Sequence, residues 1–552
     1  MHLASSITSR LAELEHGLHI GSVTWQKLLE LAKQWRHLES PGRAESYLRK
    51  ALYLAPEEAE IWCLLSACLL DQQRLPEALA TAQEAIARQP TLIAAQLQLG
   101  RCQRYQAHAS QLGAINNDWS LFNEIGSELL DQHRQHLTAY GVPIIEPFSV
   151  LGFLLSGIDQ RLTAQAQVDQ FMDQQQLKCL PRPEITPATD GRLRIGYVSA
   201  DFRDNATGHL LQQMFSHHDR QHFSITAYSI GPHDGSEFRR RIEADVEHFI
   251  DLQNMDDDAA AMTIADDGID LLVDLMGFAG NHRAGIFARR PAPTQICWLG
   301  YCMTTGAPWI DEYYADEFVV PAERSKFFSE HIRYFPDCYQ VYSPLNLHEM
   351  KIERATCNLP ENVFVYACFN AVEKVDPAIL DCWSEILHAQ QDAVLWLLVT
   401  NEQQQKHYLE RFAKRQIDAK QLVFASMWPK QQHLARLVHV DLFLDTMLCN
   451  AHTTASDALF MGVPVLTFPG ELMAQRVAGS VCHAAGLPDL IVYSLKEYRQ
   501  TAISLGKDLQ AISHLKQKLA DARPRAPLFD LPRFIGNLEQ MFENSFHRWS
   551  RK

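Results

Sequence analysis

Residues 441–459 read DLFLDTMLCNAHTTASDAL, and this stretch decides the fold that we predict. Its apolar run ends at Asp445 as a buried strand would, a short loop follows, and a helix begins near Thr453. Thr453 and Thr454 place hydroxyls and unpaired backbone N–H groups at the helix N-terminus, a geometry that binds phosphate, and His452 adds a donor. A threonine that only caps the helix is the alternative, and the stretch by itself leaves both open.

Apolar strands alternate with amphipathic helices on both sides of this stretch. The predicted strands form two series, at residues 193–200, 223–230, 269–275 and 295–300, and then at 363–369, 394–400, 422–425, 441–445 and 464–468. The predicted helices include 238–249, 377–389, 407–415, 431–439 and 471–485. Continuous apolar strands alternating with helices indicate parallel sheets covered on both faces. We therefore predict two doubly wound α/β domains that face each other, with a ligand at the carboxyl ends of the strands.

Three predicted strand ends carry cationic or hydroxyl groups, which the carboxyl edge of a sheet brings together. Lys374 comes soon after the strand that ends near Asn370, and a lysine there supplies charge to a diphosphate leaving group. His433 and Arg436, three residues apart on one helix face, suit stacking on a base and pairing with its acceptors. Asp457 can accept hydrogen bonds from ribose hydroxyls. Together these residues favour a nucleotide diphosphate site.

A 34-residue repeat marks the front of the chain. Five apolar positions recur after 34 residues, Leu31, Ala44, Leu48, Ala51 and Pro56 as Leu65, Ala78, Ala82, Ala85 and Pro90, and a third copy begins at Leu99. Small residues at helix crossings and Pro at the repeat end are typical of tetratricopeptide repeats. We predict an all-α domain over residues 1–180 with repeats at 22–105, which binds a peptide or packs against the rest of the chain. A Pro-rich linker follows at 181–190.

The composition and the missing motifs exclude several classes of protein. The 552 residues, 47% of them hydrophobic, supply several packed domains, and the net charge of −16 argues against a nucleic-acid partner. The sequence contains no glycine-rich dinucleotide fingerprint, no P-loop and no serine-hydrolase elbow. It has 12 cysteines but no Cys-x-x-Cys pair, no signal-peptide core and no apolar run long enough to span a membrane. We expect a cytoplasmic protein without a membrane partner.

Several long motifs in the two predicted sheet domains resemble those of one enzyme family. They are LRIGYVSADF at 193–202, TGHL at 207–210, RPAPTQ at 290–295, WLGY at 298–301 and LCNAHTT at 448–454, together with Phe369, Asn370, Lys374 and Gly470. In these motifs the chain resembles the O-linked N-acetylglucosamine transferase and Spindly-like family, in a bacterial form with few repeats. The resemblance spans roughly residues 190–525.

The resemblance implies a fold and an activity. The fold is GT-B, with an acceptor-side Rossmann-like domain at 191–345, a nucleotide-sugar-binding one at 346–526 and a C-terminal helix at 527–552 that packs back on the core. The activity is inverting, metal-independent transfer of GlcNAc from UDP-GlcNAc to Ser or Thr hydroxyls of proteins. The implied partners are a UDP-sugar donor and a protein or peptide acceptor, which the repeats can dock.

The resemblance also implies a role for each matching residue. Those implied to bind the donor are Lys374, His452, Thr453 and Thr454 at the diphosphate, Asp457 at the ribose, Lys430, His433 and Arg436 at the uracil, Cys449 beside the N-acetyl group, and Asn370. His209 corresponds to the active-site histidine, and Asp267 to a proton-relay carboxylate. Each of three residues has a structural alternative. His209 can be a structural histidine, Asp267 can belong to an Asp-Gly turn before a strand, and Cys449 can be a small buried residue.

Two departures from the family pattern leave the donor sugar open. Cys302 and Met303 replace a Pro and a Gly in a loop near the sugar, which changes the freedom of the backbone there, and Ala371 replaces an amide. The same fold serves O-fucosyltransferases that use GDP-fucose and N-glucosyltransferases that use UDP-glucose. A catalytically inactive scaffold that carries repeats is a further alternative. No Asp-x-Asp motif lies near these segments, so we expect no metal and no other cofactor.

Overall fold

The computed structural model describes residues 23–37, 41–72, 74–92, 156–175, 180–185, 188–345 and 350–549, with a few positions between 94 and 143 and at 177. The chain forms two compact units, residues 1–146 and 147–552. The third repeat copy that we predict from Leu99 lies largely outside the described residues.

The first unit contains two helical pairs. Its helices are α1 (Trp25–His37), α2 (Pro41–Leu54), α3 (Ala59–Asp71) and α4 (Leu75–Arg88). α3 begins 34 residues after α1, and α4 begins 34 residues after α2, so the structural repeat has the period of the sequence repeat. The small residues of the repeat are fully buried: Ala44, Ala51, Ala78, Ala82 and Ala85. The predicted tetratricopeptide-like helices are therefore confirmed for residues 25–88.

The first sheet of the second unit, in what we call the first half (residues 188–345), has seven parallel strands in the order β3-β2-β1-β4-β5-β6-β7. The strands are β1 (Leu193–Ser199), β2 (Phe223–Ser229), β3 (His248–Asp251), β4 (Leu271–Asp274), β5 (Thr294–Trp298), β6 (Glu312–Asp316) and β7 (His331–Phe335). The first described helix of the second unit is α5 (Gly157–Gln174), which precedes the first half. The helices of the first half are α6 (Ala206–Leu211), α7 (Glu237–Asp245), α8 (Asp257–Asp266) and α9 (Ala284–Ala288).

The second sheet, in the second half (residues 350–522), has five parallel strands in the order β10-β9-β8-β11-β12. The strands are β8 (Val365–Cys368), β9 (Val394–Leu398), β10 (Leu422–Ala425), β11 (Leu442–Leu444) and β12 (Val465–Leu466). The helices are α10 (Pro377–Ala389), α11 (Glu402–Lys414), α12 (Lys430–Arg436), α13 (Thr453–Phe460), α14 (Val477–Ala484), α15 (Leu495–Lys507) and α16 (Leu509–Ala522); α17 (Leu531–Trp549) follows. The central strands are buried along their length, as strands covered on both faces must be.

Three strands of the first sheet are missing from the prediction. β3 and β7 lie at the two edges of the sheet and are largely half-exposed, so neither carries the buried apolar run that signals a parallel strand. β6 is buried, but charged residues occupy both of its ends. The predicted helix at 238–249 is wrong at its end, because α7 stops at Asp245 and residues 248–251 form β3.

Helix α5, which we predicted within the helical front domain, packs on the first half. The Arg161 guanidinium donates to the Lys326 carbonyl at 2.6 Å. A Cβ at Gly306, whose φ is +69°, would lie 2.6 Å from the backbone of Ala164. Helix α5 therefore belongs to the compact second unit, although it precedes the linker predicted at 181–190.

The last helix, α17, returns to the first half. Phe534 stacks on Trp298, with 6.0 Å between ring centroids, and Ser545 lies 2.8 Å from the Tyr314 hydroxyl. The Trp549 indole donates to Glu312 at 3.0 Å. In the part of the chain that the structure describes, no helix has the length and apolar character needed to cross a bilayer.

Candidate active site

The carboxyl ends of β8 and β11 lie side by side, because the two strands are neighbours in the second sheet. Asn370, just beyond β8, donates from Nδ2 to Thr446 Oγ1 at 2.7 Å and to Asp445 Oδ1 at 3.2 Å. Asn370 is 3% exposed, so its amide links two strand ends behind the surface of the cleft. The structure thus places this predicted binding residue in a buried network.

Lys374 stands at the same edge, at the end of a short 3-10 turn that follows Asn370. Its Nζ donates to the backbone carbonyl of Asn450 at 2.8 Å, in the loop that leads to α13. An ammonium carries three N–H donors, so this contact leaves donors for an anion. The structure therefore joins two of the predicted phosphate-binding segments through one hydrogen bond.

Helix α13 begins at Thr453, as the sequence predicts. The N–H groups of Ala455 and Ser456 both donate to the His452 carbonyl, at 3.1 and 3.2 Å. The first N–H groups of a helix have no acceptor within it, and no described residue accepts from those of Thr453 and Thr454. Two N–H groups are thus free at the start of α13, where both threonines are half-exposed, and Lys374 contacts the loop that leads to this helix.

His452, the residue before α13, has a neutral imidazole near neutral pH. Removal of water around the ring, and then the Lys374 ammonium, lower the pKa of His452 to about 3. Its Nε2 lies 3.4 Å from the Ala474 carbonyl, an acceptor, so Nε2 carries the proton. The imidazole therefore brings no positive charge to the site, which leaves Lys374 as the cation at this position.

Lys430 and Asp457 form an ion pair that local sequence patterns do not predict. Lys430, the first residue of α12, places Nζ 2.5 Å from Asp457 Oδ2 on α13. The two side chains are 8% and 4% exposed, and the Tyr342 hydroxyl donates to Asp457 at 3.3 Å. The predicted uracil-side lysine and ribose-side carboxylate thus neutralise each other in this structure.

His433 and Arg436 contact each other, but only one of them is placed to meet a ligand. The Arg436 guanidinium donates to His433 Nδ1 at 2.8 Å and to the Ser426 carbonyl at 2.9 Å. It lies over the rings of Trp428 and Phe369, at 4.7 and 5.0 Å from their centroids, and is 1% exposed. The predicted direct contact of Arg436 with a base therefore does not fit its buried position, and Arg436 instead orients His433.

His209 lies on α6, which begins after Asn205, whose side chain accepts from the Gly208 N–H at 2.9 Å. His209 Nε2 is 2.6 Å from Asp204 Oδ1, and the ring centroid is 4.5 Å from that of Phe238. Burial, and then the Lys430 ammonium, lower the pKa of His209. His209 therefore stands near Lys430, and the first half contributes this histidine to the site on the second half.

Asp267 lies apart from the other predicted residues. It directly follows α8 and precedes β4, so it lies near the amino-terminal end of β4, whereas His209 follows the carboxyl end of β1. Its exposed carboxylate accepts a hydrogen bond from the Tyr228 hydroxyl at 2.7 Å. The structure therefore does not bring Asp267 to the cleft, and its position fits the alternative of a turn before a buried strand.

The loop of residues 301–306, which departs from the family pattern, is held by a buried carboxylate. Thr304 Oγ1 donates to Glu330 Oε2 at 2.7 Å, and the Thr305 N–H donates to Oε1 at 2.6 Å. Glu330 is 6% exposed. Side-chain and backbone groups of the two threonines thus restrain the loop through Glu330.

Two cysteines mark where this loop meets the second half. Burial raises the pKa of the Cys302 thiol, the Cys449 thiol raises it further, and the Lys374 ammonium lowers it, which places all three near one another. Cys449 Sγ lies 4.0 Å from His452 Nε2. The departure at Cys302 is therefore at the candidate site.

Sequence reasoning missed three residues that contact the predicted ones. Asp204 bonds to His209, Tyr342 to Asp457, and Asp445 to Asn370. Asp445 had a usable signal, since it is an acidic residue at the end of an apolar strand, next to the phosphate-binding loop. Tyr342 had none, because it lies in the segment between the two sheets and carries no pattern of its own.

The arrangement suits a dianionic leaving group. Lys374 supplies a positive charge, the start of α13 supplies free N–H donors, and neutral histidines line the site on both halves. Within the described residues, no group of three or more His, Cys, Asp or Glu side chains is placed to hold a metal ion.

Known glycosyltransferases resemble this chain over most of its length. The sequence model of glycosyl transferase family 41 matches residues 117–349 and 347–538. A probable UDP-N-acetylglucosamine–peptide N-acetylglucosaminyltransferase, SEC of Arabidopsis thaliana, is 39% identical over 366 residues, 65% of this chain and 37% of that protein. The UDP-N-acetylglucosamine–peptide N-acetylglucosaminyltransferase of Caenorhabditis elegans is 26% identical over 551 residues, 78% of this chain and 48% of that protein. The chain thus spans less than half the length of these two relatives.

One solved structure resembles the protein over nearly its whole length. A lysine-to-methionine mutant of the O-GlcNAc transferase of Thermobaculum terrenum superimposes with a TM-score of 0.72 at 26% identity, and covers 96% of this chain and 98% of its own. The predicted fold class is therefore confirmed: the two parallel sheets are the Rossmann-like domains of a GT-B fold, and tetratricopeptide-like helices precede them.

Proposed function

Because the chain belongs to glycosyl transferase family 41, we propose that it transfers N-acetylglucosamine from UDP-N-acetylglucosamine to Ser or Thr hydroxyls of proteins. The observation that carries this proposal is the placement of Lys374 beside the free N–H groups at the start of α13. The names of the Arabidopsis and Caenorhabditis relatives support this donor and a peptide acceptor.

The leaving group is UDP. In the transfer step the bond between the anomeric carbon and the β-phosphate oxygen breaks, and the electron pair goes to that oxygen. The acceptor oxygen forms the new bond on the opposite face, so the anomeric configuration inverts. Lys374 and the N–H groups of Thr453 and Thr454 stabilise the developing charge, and one such donor contributes about 2.7–4 kcal/mol in other enzymes.

The acceptor hydroxyl loses its proton as it attacks, and His209 is the group that we assign to receive it. Its lowered pKa keeps the ring neutral near pH 7. Nε2 donates to the Asp204 carboxylate, which can only accept, so Nδ1 keeps its lone pair for the hydroxyl. Asp204 thereby fixes the tautomer of His209.

The nucleoside lies on the Lys430 side of the cleft. Asp457 accepts from the ribose hydroxyls, and the edge of His433 that Arg436 leaves free meets the uracil. Cys449 stands beside the N-acetyl group of the sugar. The ion pair between Lys430 and Asp457 loosens when the ribose hydroxyls compete for the carboxylate.

We keep three features as predictions. The transfer needs no metal or other cofactor, because Lys374 and the helix N-terminus supply the charge stabilisation that a cation would give. The repeats dock the acceptor protein. The protein is cytoplasmic.

A donor panel tests the proposal. UDP-GlcNAc, UDP-glucose and GDP-fucose are each incubated with the full chain, with and without a Ser/Thr-rich peptide, and nucleotide release and peptide mass are measured. We expect UDP release and a peptide mass gain of one N-acetylhexosamine with UDP-GlcNAc only. If the protein turns over only GDP-fucose or only UDP-glucose, that sugar nucleotide is the donor and UDP-GlcNAc is not. If no nucleotide is released from any of the three, the inactive-scaffold alternative is favoured.

A further inference from the structure

Asp445 is a buried carboxylate that directly precedes the phosphate-binding loop, residues 446–451. It follows β11 directly and is 1% exposed. Its Oδ1 accepts from the N–H groups of Ala451 and Thr446, at 2.6 and 2.8 Å, and its Oδ2 accepts from Thr467 Oγ1 at 2.7 Å. No cationic side chain of the described residues bonds to it. Backbone groups at both ends of the loop 446–451 thus meet on one carboxylate.

The same loop carries the contacts that place Lys374. Thr446 Oγ1 donates to the Cys449 carbonyl at 2.7 Å, and Asn450 Nδ2 donates to the Thr446 carbonyl at 2.7 Å. These bonds close the loop on itself and fix the direction of the Asn450 carbonyl. That carbonyl accepts from Lys374 Nζ. A chain of hydrogen bonds therefore runs from Asp445 through the loop to the ammonium group.

The end of the loop also sets the start of α13. Asp445 holds the Ala451 N–H, and His452 and Thr453 follow directly, so the bond to Asp445 fixes where the first free N–H groups point. The Ala474 carbonyl accepts from the Asn450 N–H at 2.8 Å and supports the loop from the other side. Both parts of the anion site therefore depend on one short loop.

A negative charge beneath a diphosphate site is unfavourable for binding the diphosphate, so the charge of Asp445 does not explain its position. Four hydrogen bonds with separate donors do explain it, because a carboxylate offers about four acceptor positions in the space of one side chain. An asparagine keeps one acceptor oxygen for the three donors that meet Oδ1, the Thr446 and Ala451 N–H groups and Asn370 Nδ2, and places an N–H against Thr467 Oγ1, which can accept.

We propose that Asp445 is a positioning residue of the donor site, which through its hydrogen bonds holds the loop 446–451 so that Lys374 and the start of α13 meet the diphosphate of the nucleotide sugar. This role rests on the proposed function, because it assigns the loop to UDP. Asp445 does not touch the donor itself.

The test compares D445A and D445N with D270A in the full chain. Asp270 is a matched control, since it is 3% exposed, also adjoins a strand, and bonds to Arg194 at 2.8 Å near the amino-terminal ends of β4 and β1. Calorimetric titration gives the Kd for UDP, steady-state assays give kcat and KM for UDP-GlcNAc, and thermal unfolding gives Tm. We expect D445A to raise the Kd for UDP and the KM at least tenfold, D445N to stay within threefold of wild type, and D270A to lower Tm without changing Kd.

Two results would overturn the role. One is a folded D445A protein that binds UDP as tightly as wild type, and the other is a D445N protein as weak as D445A, which would make the charge decisive. If D445A does not fold, the Kd of T446V for UDP tests the role instead. This variant removes the hydroxyl that links Asn370 to the Cys449 carbonyl and leaves Asp445 in place. A Kd raised at least fivefold in T446V supports the role, and an unchanged Kd contradicts it.

Failure of the proposed function gives a different result. In that case wild-type protein neither binds UDP nor releases it from UDP-GlcNAc, whatever residue stands at 445. Wild-type binding and turnover together with an unaffected D445A protein would instead contradict the positioning role alone.

Discussion

Lys430 Nζ and Asp457 Oδ2 lie 2.5 Å apart across the gap between α12 and α13, with side chains 8% and 4% exposed. Breaking a buried pair by removing one partner costs about 3–5 kcal/mol, because the other charge is left uncompensated. Removing both partners together avoids that penalty. A comparison of single and double variants of this pair therefore separates the effect of each residue on stability from its effect on nucleotide binding.

We expect K430M to lower the free energy of unfolding by about 3 kcal/mol or more, and the double variant K430M/D457N to lose less than K430M alone. Urea unfolding of the wild type, the two single variants and the double variant measures this. Additive losses would contradict the coupling. UDP affinity should fall in D457N, since the ribose loses its carboxylate acceptor.

For Lys374 we expect K374A to lower kcat about 10²–10³-fold, because a donor aimed at the developing charge of the leaving group is lost. Its contact with the Asn450 carbonyl is a single hydrogen bond, so the fold should survive. Assays of UDP release and circular dichroism check both points. K351A, at an exposed lysine of the second half, serves as control. Normal turnover in K374A would contradict the assignment of Lys374 to the leaving group.

The pH dependence of stability follows from the low pKa of His452. Its folded-state pKa of about 3 lies below the ordinary value near 6.5, so between these values the unfolded chain binds more protons. Stability is therefore present above pH 6.5 and is lost as the pH falls below it, by about 2 kcal/mol between pH 7 and 5 for one such histidine.

Urea unfolding at pH 7 and pH 5 tests this expectation, and the loss should be smaller in H452Q than in wild type. H222Q is the control, since Asp219, 2.7 Å from the exposed His222, raises the pKa of that histidine. H222Q should not reduce the loss. An equal loss in wild type and H452Q would show that His452 does not titrate as described.

Treatment with EDTA should leave kcat and KM for UDP-GlcNAc unchanged, because in the proposed step Lys374 and backbone N–H groups stabilise the negative charge of the leaving group. Activity before and after chelation and desalting is the measurement. Loss of activity that Mn²⁺ restores would contradict metal independence.

In the helical front, A78L should destabilise the first unit by about 1–3 kcal/mol, because the extra methyl and methylene groups do not fit a close helix crossing. Ala78 is fully buried on α4, whereas Ala80 on the same helix is exposed. Calorimetric unfolding of A78L and of the control A80L measures the difference. Equal transitions would contradict the repeat packing.

The sequence predicted the local units of the site well. The strand before Asp445, the loop and the helix start at Thr453 are found where the pattern places them, because apolar periodicity and helix termini depend on residues close in the chain. The edge strands β3 and β7 were not predicted, since an edge strand does not need the apolar run that a buried strand needs.

Spacing could not tell which side chains meet. Asn370 and Asp457 both looked like free polar residues at strand or helix ends, but the first is tied to Asp445, 75 residues away, and the second to Lys430, 27 residues away. Asp267 matched a family motif and yet lies near the amino-terminal end of β4, away from the carboxyl ends of the strands. Such contacts depend on strand order and on the approach of two helices, neither of which leaves a local signal.

The sequence by itself therefore determined that the chain has repeat helices and two parallel sheets, with a cationic and hydroxyl-bearing edge on the second sheet. Only the tertiary structure decided that Lys374 rests on the Asn450 carbonyl, that Arg436 is buried behind His433, and that Asp267 is absent from the cleft. The physical reason is distance along the chain. Periodicity encodes which face of an element is buried, whereas the packing of whole elements decides which charges are neutralised and which stay available to a ligand.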